Sequence, residues 1–419
     1  MSQLQKKFTD QQVKQLFKRY LNKEIERIYI QKILDIKQRR FFELLKQFKE
    51  HPDKFSIQYS RSRPTRTIDP QIEKNIINEL QIDQELIFDE NINIYRYNYS
   101  FIKNRLRTKY KQSVSLPTII SRAKRHGYYI KKKHKKNPHD QQVLTSNVGE
   151  LIQHDSSYHK FSPYSSKKWT LVTSLDDFSR FLFFAKLVEG DTSWQHILAL
   201  EHVVLNYGLP LAYYTDSHSI FRFVQSRDSN WRTHHKLTDD ADPQWKQIVK
   251  ELNIKPIYAL SPQAKGKIER PYGWIQDHLV RICARENVTD IKQAQRELNK
   301  LIHSYNFKWI HSTTKEVPHL RLQRVFREHN SLFREFSVIP PFKSTRDIFC
   351  FRVDRTIDSY RRVSLDTIKF EPRNAVPHSG VQLRIAPINK TVAEIRFWCE
   401  DELIDVQKTK ISNLKSVHF

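Results

Sequence analysis

The chain has 419 residues and a formal charge of +26, so about two to four domains and a polyanionic partner are the first expectations. No apolar run approaches the ~18 residues of a membrane-spanning helix, no membrane partner is expected, and Met1–Lys7 lacks a signal peptide's apolar stretch. Cys283, Cys350 and Cys399 are widely spaced and in no CxxC pair, which points to reduced thiols in a cytoplasmic protein, not to a zinc site or a disulfide framework.

Thr9-Asp10-Gln11-Gln12 has the form of a capping box, followed by Val13, Leu16, Phe17, Tyr20 and Leu21 at helical spacing. A second apolar pattern runs through Ile25, Ile28, Tyr29 and Ile33. A third helix carries Phe41, Leu44, Leu45 and Phe48, with Lys37, Arg39 and Arg40 at its start. Residues 1–52 therefore fit a helix-turn-helix that contacts DNA through Lys37, Arg39 and Arg40, and equally an ordinary three-helix bundle. Residues 53–68 read as a basic linker in which Arg61 and Arg63 suit a DNA groove or simple solvation.

Residues 69–130 form a second helical unit. Asp69-Pro70 supplies an N-cap and first-turn proline, and Ile72, Ile76, Ile77 and Leu80 share one face. Ser100 is expected to cap the helix carrying Ile102 and Leu106, and Ser115 the next, which Gly127 ends. That last helix would show Thr118, Arg122 and Arg125 on its outer side, a better recognition helix than the first. Lys131, Lys132 and Lys133 open a cationic run in the linker 131–147, suited to DNA phosphates.

From residue 148 the pattern alternates. Strands are expected over Leu151–His154, Trp169–Leu175 and Phe181–Leu187, a helix over Thr192–Tyr207, and a strand over Leu211–Thr215. A helix over Trp245–Leu252, a strand over Ile254–Ala259 and a long helix after Glu269 follow. This βββαβαβα order over 148–325 matches a ribonuclease-H-like arrangement, a mixed sheet flanked by helices. Short strand-like runs over 338–419 suggest a small β-barrel. The fold class is multidomain α/β.

Two of the strand-like runs lead to aspartates, Asp155 and Asp216, and Glu269 stands near the start of a helix. Such a sheet brings all three to one edge. Converging carboxylates repel unless a cation neutralises them, and three suit a pair of divalent cations and in-line displacement at phosphorus. In so basic a chain that phosphorus belongs to DNA.

Ser261-Pro262-Gln263-Ala264-Lys265-Gly266-Lys267-Ile268-Glu269-Arg270, with Leu151–Asp155, Tyr214-Thr215-Asp216, Leu175–Arg180 and Tyr207–Pro210, resembles the DDE catalytic core of bacterial insertion-sequence transposases and retroviral integrases. The resemblance covers about 148–320, and the absence of a His-His-Cys-Cys zinc unit favours the transposase side. It implies cleavage of transposon ends and joining of their 3′-hydroxyls to target DNA, with two Mg²⁺ or Mn²⁺ ions per site and a homo-oligomer assembled on double-stranded DNA in the bacterial cytoplasm, at the nucleoid. Asp155 would bridge both metals, with Asp216 and Glu269 each holding one. Lys265, Lys267 and Gln276 become DNA contacts, while Asp176 and Asp177 read as turn-formers. Pro271 suggests that the helix begins only about there. The alternatives are a catalytically silent transposase-derived DNA-binding protein and a nuclease that cuts without joining.

Overall fold

The computed structural model describes Leu4, residues 7–58, 68–131, 145–215, Phe221, 243–258 and 266–419, with the backbone alone over 266–272. By packing, the chain divides into Met1–Glu73 and Lys74–Phe419. No described helix is long and apolar enough to cross a membrane.

In the first unit, helices α1 (Asp10–Leu21), α2 (Arg27–Leu34) and α3 (Gln38–Glu50) close on a core of Val13, Phe17, Ile30, Leu34, Phe41, Leu44 and Phe48. The capping box is formed: Thr9 Oγ1 accepts from the Gln12 N–H, and Gln12 Oε1 from the Thr9 N–H. The apolar pattern of α2 resolves differently from expectation. Ile30 and Leu34 are buried, while Ile28, Tyr29 and Ile33 are exposed. Both stripes have helical spacing, and packing against Phe17 and Phe41 selects one of them.

In the second unit, α4 (Pro70–Phe88, which begins before the division), α5 (Tyr99–Lys109) and α6 (Leu116–Arg125) precede the sheet. Asn98, not Ser100, caps α5 by accepting from the Phe101 N–H, and Ser100 donates to Asn98. Ser115 caps α6 as expected.

Strands β1 (Leu151–His159), β2 (Trp169–Asp176), β3 (Leu182–Val188), β4 (Ala212–Thr215) and β5 (Lys255–Tyr258) form one sheet in the order β3-β2-β1-β4-β5. β1 runs antiparallel to β2 and parallel to β4. Helices α7 (Ser193–Tyr207) and α8 (Gln244–Glu251) cover one face, and α9 (Gly266–Arg285) and α10 (Ile291–Phe307) the other. The order βββαβαβα is the expected one. Two details differ. β1 continues four residues past Asp155, which is thus mid-strand, because Ser156–His159 pair with β2. α9 begins at Gly266, before Pro271, and so already contains Glu269.

After α11 (Pro318–Arg327) and α12 (Thr345–Ile348) come β6 (Phe351–Thr356), β7 (Val363–Leu365), β8 (Ile368–Phe370), β9 (Gly380–Pro387), β10 (Val392–Cys399) and β11 (Glu402–Lys410). The expected closed barrel is not found among the described residues. Instead β11-β10-β9-β6 form an open antiparallel sheet, and β7-β8 a separate ribbon. The open sheet rests on the α7/α8 side: Trp194 packs against Phe351, and Glu251 pairs with Arg384 at 3.2 Å.

A buried ion network joins α4 to α9. Asp277, Arg281 and Arg285 recur every four residues on α9, opposite Glu79 and Asp83 on α4. Arg281 lies 2.5 Å and Arg285 3.1 Å from Asp83, and Arg285 also pairs with Glu79. Tyr110 donates to Glu79, and Asn98 to Asp277. Removing one member strands a buried charge, so Arg285→Ala should lower stability by about 3–5 kcal/mol in denaturant titrations. Burial pushes the Glu79 carboxyl up, but Arg285 and Arg105 outweigh it and hold the group below its ordinary 4.5. The resulting stability is present above about pH 4.5 and lost as the pH falls through the lowered value. Comparing denaturation midpoints at neutral and acid pH should show a shallower acid decline in Glu79→Gln than in wild type.

Candidate active site on the central strand

Side chains alternate along β1. Ile152 and His154 point to the α7/α8 layer, where Ile152 joins its core and His154 stacks on Trp245. Gln153, Asp155 and Ser157 therefore point to the α9 layer. On that side Gln276 of α9 donates to Ser157 Oγ, which brings α9 against the face that carries Asp155. Glu269 precedes Gln276 by two turns on the same helical stripe, a rise of roughly 10 Å. Asp155 is partly exposed, and one of its oxygens accepts the Ser156 N–H at 2.9 Å.

β4 ends at Thr215, the residue before Asp216; Asp216 lies outside the described residues, as does the side chain of Glu269. Among the described residues no three His, Cys, Asp or Glu side chains gather as metal ligands. In the parallel ladder Gln153 pairs with Tyr214, so Asp155 and Asp216 each follow a paired position by two residues.

Asp176, the last residue of β2, and Asp177 lead into the β2–β3 turn, beside the start of β1 and away from mid-strand Asp155. Asp176 accepts from the N–H groups of Gly149 and Ser179 and from the Ser179 hydroxyl. Its burial pushes the carboxyl up to about 6, with those hydrogen bonds opposing. Asp177 accepts from Thr145 and Gln153 and pairs with Arg180 at 2.9 Å. Gly149, at φ +81°, lies so close to Phe333 that an added Cβ would meet the Phe333 nitrogen at 2.7 Å.

The expected DNA contacts divide into several groups. Lys37, which precedes α3, and Arg39 and Arg40 in its first turn are exposed, with Arg39 and Arg40 both paired to Glu43. Thr118 and Arg122 are half-buried, and Arg125 and Lys131 exposed. Gln276 is half-buried and engaged with Ser157. Arg61, Arg63, Lys132, Lys133 and Lys265 lie outside the described residues, as does the side chain of Lys267. A polar chain running from buried Ser174, His154 and His196 to exposed Asp191 directly behind Asp155 was not expected. Its one sequence signal is a histidine adjacent to the aspartate within an apolar strand.

No protein-family model matches the chain. It is 24% identical over 240 residues to a protein provisionally named transposase y4bF of Sinorhizobium fredii, covering 57% of this chain and 48% of that protein. It is 27% identical over 218 residues to the transposase for insertion sequence IS1202 of Streptococcus pneumoniae, covering 51% and 44%. The chain thus spans just under half the length of these relatives. Among solved structures, the HTLV-2 integrase catalytic core domain in complex with magnesium (trimeric form) aligns at 18% identity and a TM-score of 0.32, over 42% of this chain and 97% of that one. A simian T-cell lymphotropic virus intasome in complex with PP2A regulatory subunit B56 gamma aligns at 13% identity and a TM-score of 0.34, over 73% and 98%. The chain is a relative of proteins named as transposases, one of them for an insertion sequence, as its motifs led one to expect.

Asp176 is acceptor-only when ionised, and an amide in its place would turn one acceptor into a donor facing other donors. Asp176→Asn should therefore lower stability by about 1–3 kcal/mol, read as a shift in the thermal or denaturant midpoint.

Proposed function

We propose that this chain is a DDE transposase that cuts DNA at transposon ends and joins the freed 3′-hydroxyls to target DNA. The observation that carries the reading is the placement of α9 across the Asp155 face of β1, fastened by Gln276 on Ser157. The parallel register of β1 with β4 adds to it, since the chain passes from β4 directly to Asp216. The βββαβαβα order and the mixed sheet support a ribonuclease-H-like core over 148–325.

Asp155, Asp216 and Glu269 are the residues proposed to hold Mg²⁺ or Mn²⁺. The donor set is carboxylate oxygen throughout, the chemistry that hard divalent cations take. Bound there, such a pair activates the attacking oxygen and stabilises charge on the departing 3′-oxygen. In the first reaction a water oxygen bonds to phosphorus and the 3′-oxygen leaves, taking up a proton. In the second, that 3′-hydroxyl attacks a target phosphodiester, whose own 3′-oxygen departs.

The helical units over 1–52 and 69–130 are proposed to bind the double-stranded ends, with α6 as the recognition helix and the basic segments 53–68 and 131–147 tracking phosphates. The residues over 338–419 are proposed as a further domain resting on the core, and joining two ends calls for a homo-oligomer on DNA.

Labelled DNA ends from the element encoding the chain, incubated with Mg²⁺ or Mn²⁺, test the reading. Wild type should nick and join them, and Asp155→Asn and Asp216→Ala should each lose nicking and joining while still binding the ends. End binding by wild type without cleavage under either metal would overturn the catalytic reading in favour of a DNA-binding relic. Nicking without joining would identify a nuclease. If about six to ten phosphates are contacted, affinity should fall roughly 10³–10⁵-fold between 50 and 200 mM salt.

A further inference from the structure

An unbroken chain of hydrogen bonds begins on β2, crosses β1 to α7 and returns to β1. Ser174 Oγ lies 2.9 Å from His154 Nδ1, and His154 Nε2 lies 2.8 Å from His196 Nδ1. His196 Nε2 lies 2.7 Å from Asp191 Oδ1, and Ser156 Oγ donates to Asp191 Oδ2 at 2.8 Å. Ser174, His154 and His196 are fully buried. Aromatic rings enclose them: Trp245 lies parallel to His154, and Phe221 stands edge-on to both imidazoles. Polar groups buried among rings are tolerated only when their hydrogen bonds are made.

The acceptors set the direction of the chain. Asp191 accepts from His196 Nε2–H, so His196 Nδ1 of a neutral ring accepts from His154 Nε2–H. That leaves His154 Nδ1 to accept the Ser174 hydroxyl proton. In that direction both imidazoles carry their proton on Nε2, and the two rings meet edge to face at 86°.

Both ends of the loop that meet β1 flank Asp155. His154 and Ser156 point to one side of the strand and Asp155 to the other. Among the described residues β1 pairs with β4 only as far as Gln153. Among the described residues, β2 and this polar chain hold the strand from His154 onward on the α7 side, and Gln276 meets Ser157 from the α9 side. We infer that His154, His196 and Asp191 are positioning residues for Asp155: tied through α7, they fix the pleat of β1 so that the Asp155 carboxylate stands toward α9. The inference rests on the proposed role of Asp155 as a cation ligand, and it adds a support for that ligand from the far side of the sheet. Partners that orient a metal ligand from behind typically alter metal affinity about 10–100-fold.

Mn²⁺ titration of the full chain, followed by the electron paramagnetic resonance signal of free Mn²⁺, tests it without recourse to activity. Wild type is compared with Asp155→Asn, Asp191→Asn, His196→Gln and Ser156→Ala, with circular dichroism and thermal midpoints recorded for each. Ser156→Ala removes one outer hydrogen bond and so guards against loss of the fold. Asp155→Asn should abolish the tight binding. Asp191→Asn and Ser156→Ala should weaken it about 10-fold at unchanged helix and strand content. Wild-type Mn²⁺ affinity in folded Asp191→Asn and Ser156→Ala, with loss only in Asp155→Asn, would overturn the positioning role and leave the metal site standing. Equal binding by wild type and Asp155→Asn would overturn the metal site and the positioning role with it.

Discussion

The strict alternation of side chains along β1 is the constraint on which the site depends. The strand is central, so each face must satisfy a different layer. Ile152 and His154 enter the aromatic and aliphatic core with α7 and α8, while Gln153, Asp155 and Ser157 face α9. A slip of one residue would drive Asp155 into the core beside Trp245 and turn His154 toward α9, exchanging a half-exposed carboxylate for one with no route to water. The eight-residue register between β1 and β2 and the Asp176–Gly149 and Asp177–Leu151 hydrogen bonds at the strand's start exclude that slip.

α9 meets two demands at once. Its N-terminal turn bears Glu269, and its C-terminal half bears the Asp277, Arg281 and Arg285 stripe that docks on α4. Ion pairs this deeply buried gain little over apolar packing in net free energy. Their geometry does restrict which rotation and which axial position of α9 satisfy every charge, because a shift of one turn would leave Asp83 and Glu79 facing the wrong guanidinium groups. The helices before the sheet therefore help to set where the first turn of α9 falls. The sequence division at residues 131–147 hid this, since a long basic segment in the chain separates α4 from α9 while tertiary contacts join them.

Periodicity was enough to read the order of elements from β1 to α9, because β-branched and aromatic runs alternate there with clear helical stripes and turn residues. It was not enough where two answers share one pattern. Ile28-Tyr29-Ile33 and Ile30-Leu34 both have helical spacing, and the choice is made by Phe17 and Phe41, distant in sequence. Ser100 and Asn98 are both good caps, and the backbone at Asn98 makes the bond. Asp155 looked like the end of a strand because its apolar run stops there, yet ladder pairing with Thr173 and beyond carries the strand through Ser156–His159 on hydrogen bonds that owe nothing to hydrophobicity. The His154–His196–Asp191 chain was illegible because its members are brought together only by the crossover from β3 into α7.

Net charge is a similar case of a correct sum with an unreadable partition. A surplus of 26 positive charges suggests a surface ready for phosphates, but many arginines serve internal pairs instead. Arg281 and Arg285 face Glu79 and Asp83, Arg352 and Arg384 face Glu251, Arg396 faces Asp347, and Arg180 faces Asp177. The planar guanidinium, with its five donors, tolerates such burial far better than a strongly hydrated ammonium. Lysines such as Lys37, Lys124 and Lys131 stay exposed. Among the described residues, part of the arginine complement is therefore held in internal pairs and does not add to the free positive surface. Attraction through such mobile point charges follows the phosphate backbone without reading bases. Under the proposed DNA-binding role, sequence discrimination would fall to the few polar side chains on a helix such as α6, whose Ser115 cap and buried Ile119 and Ala123 fix which of its residues face outward.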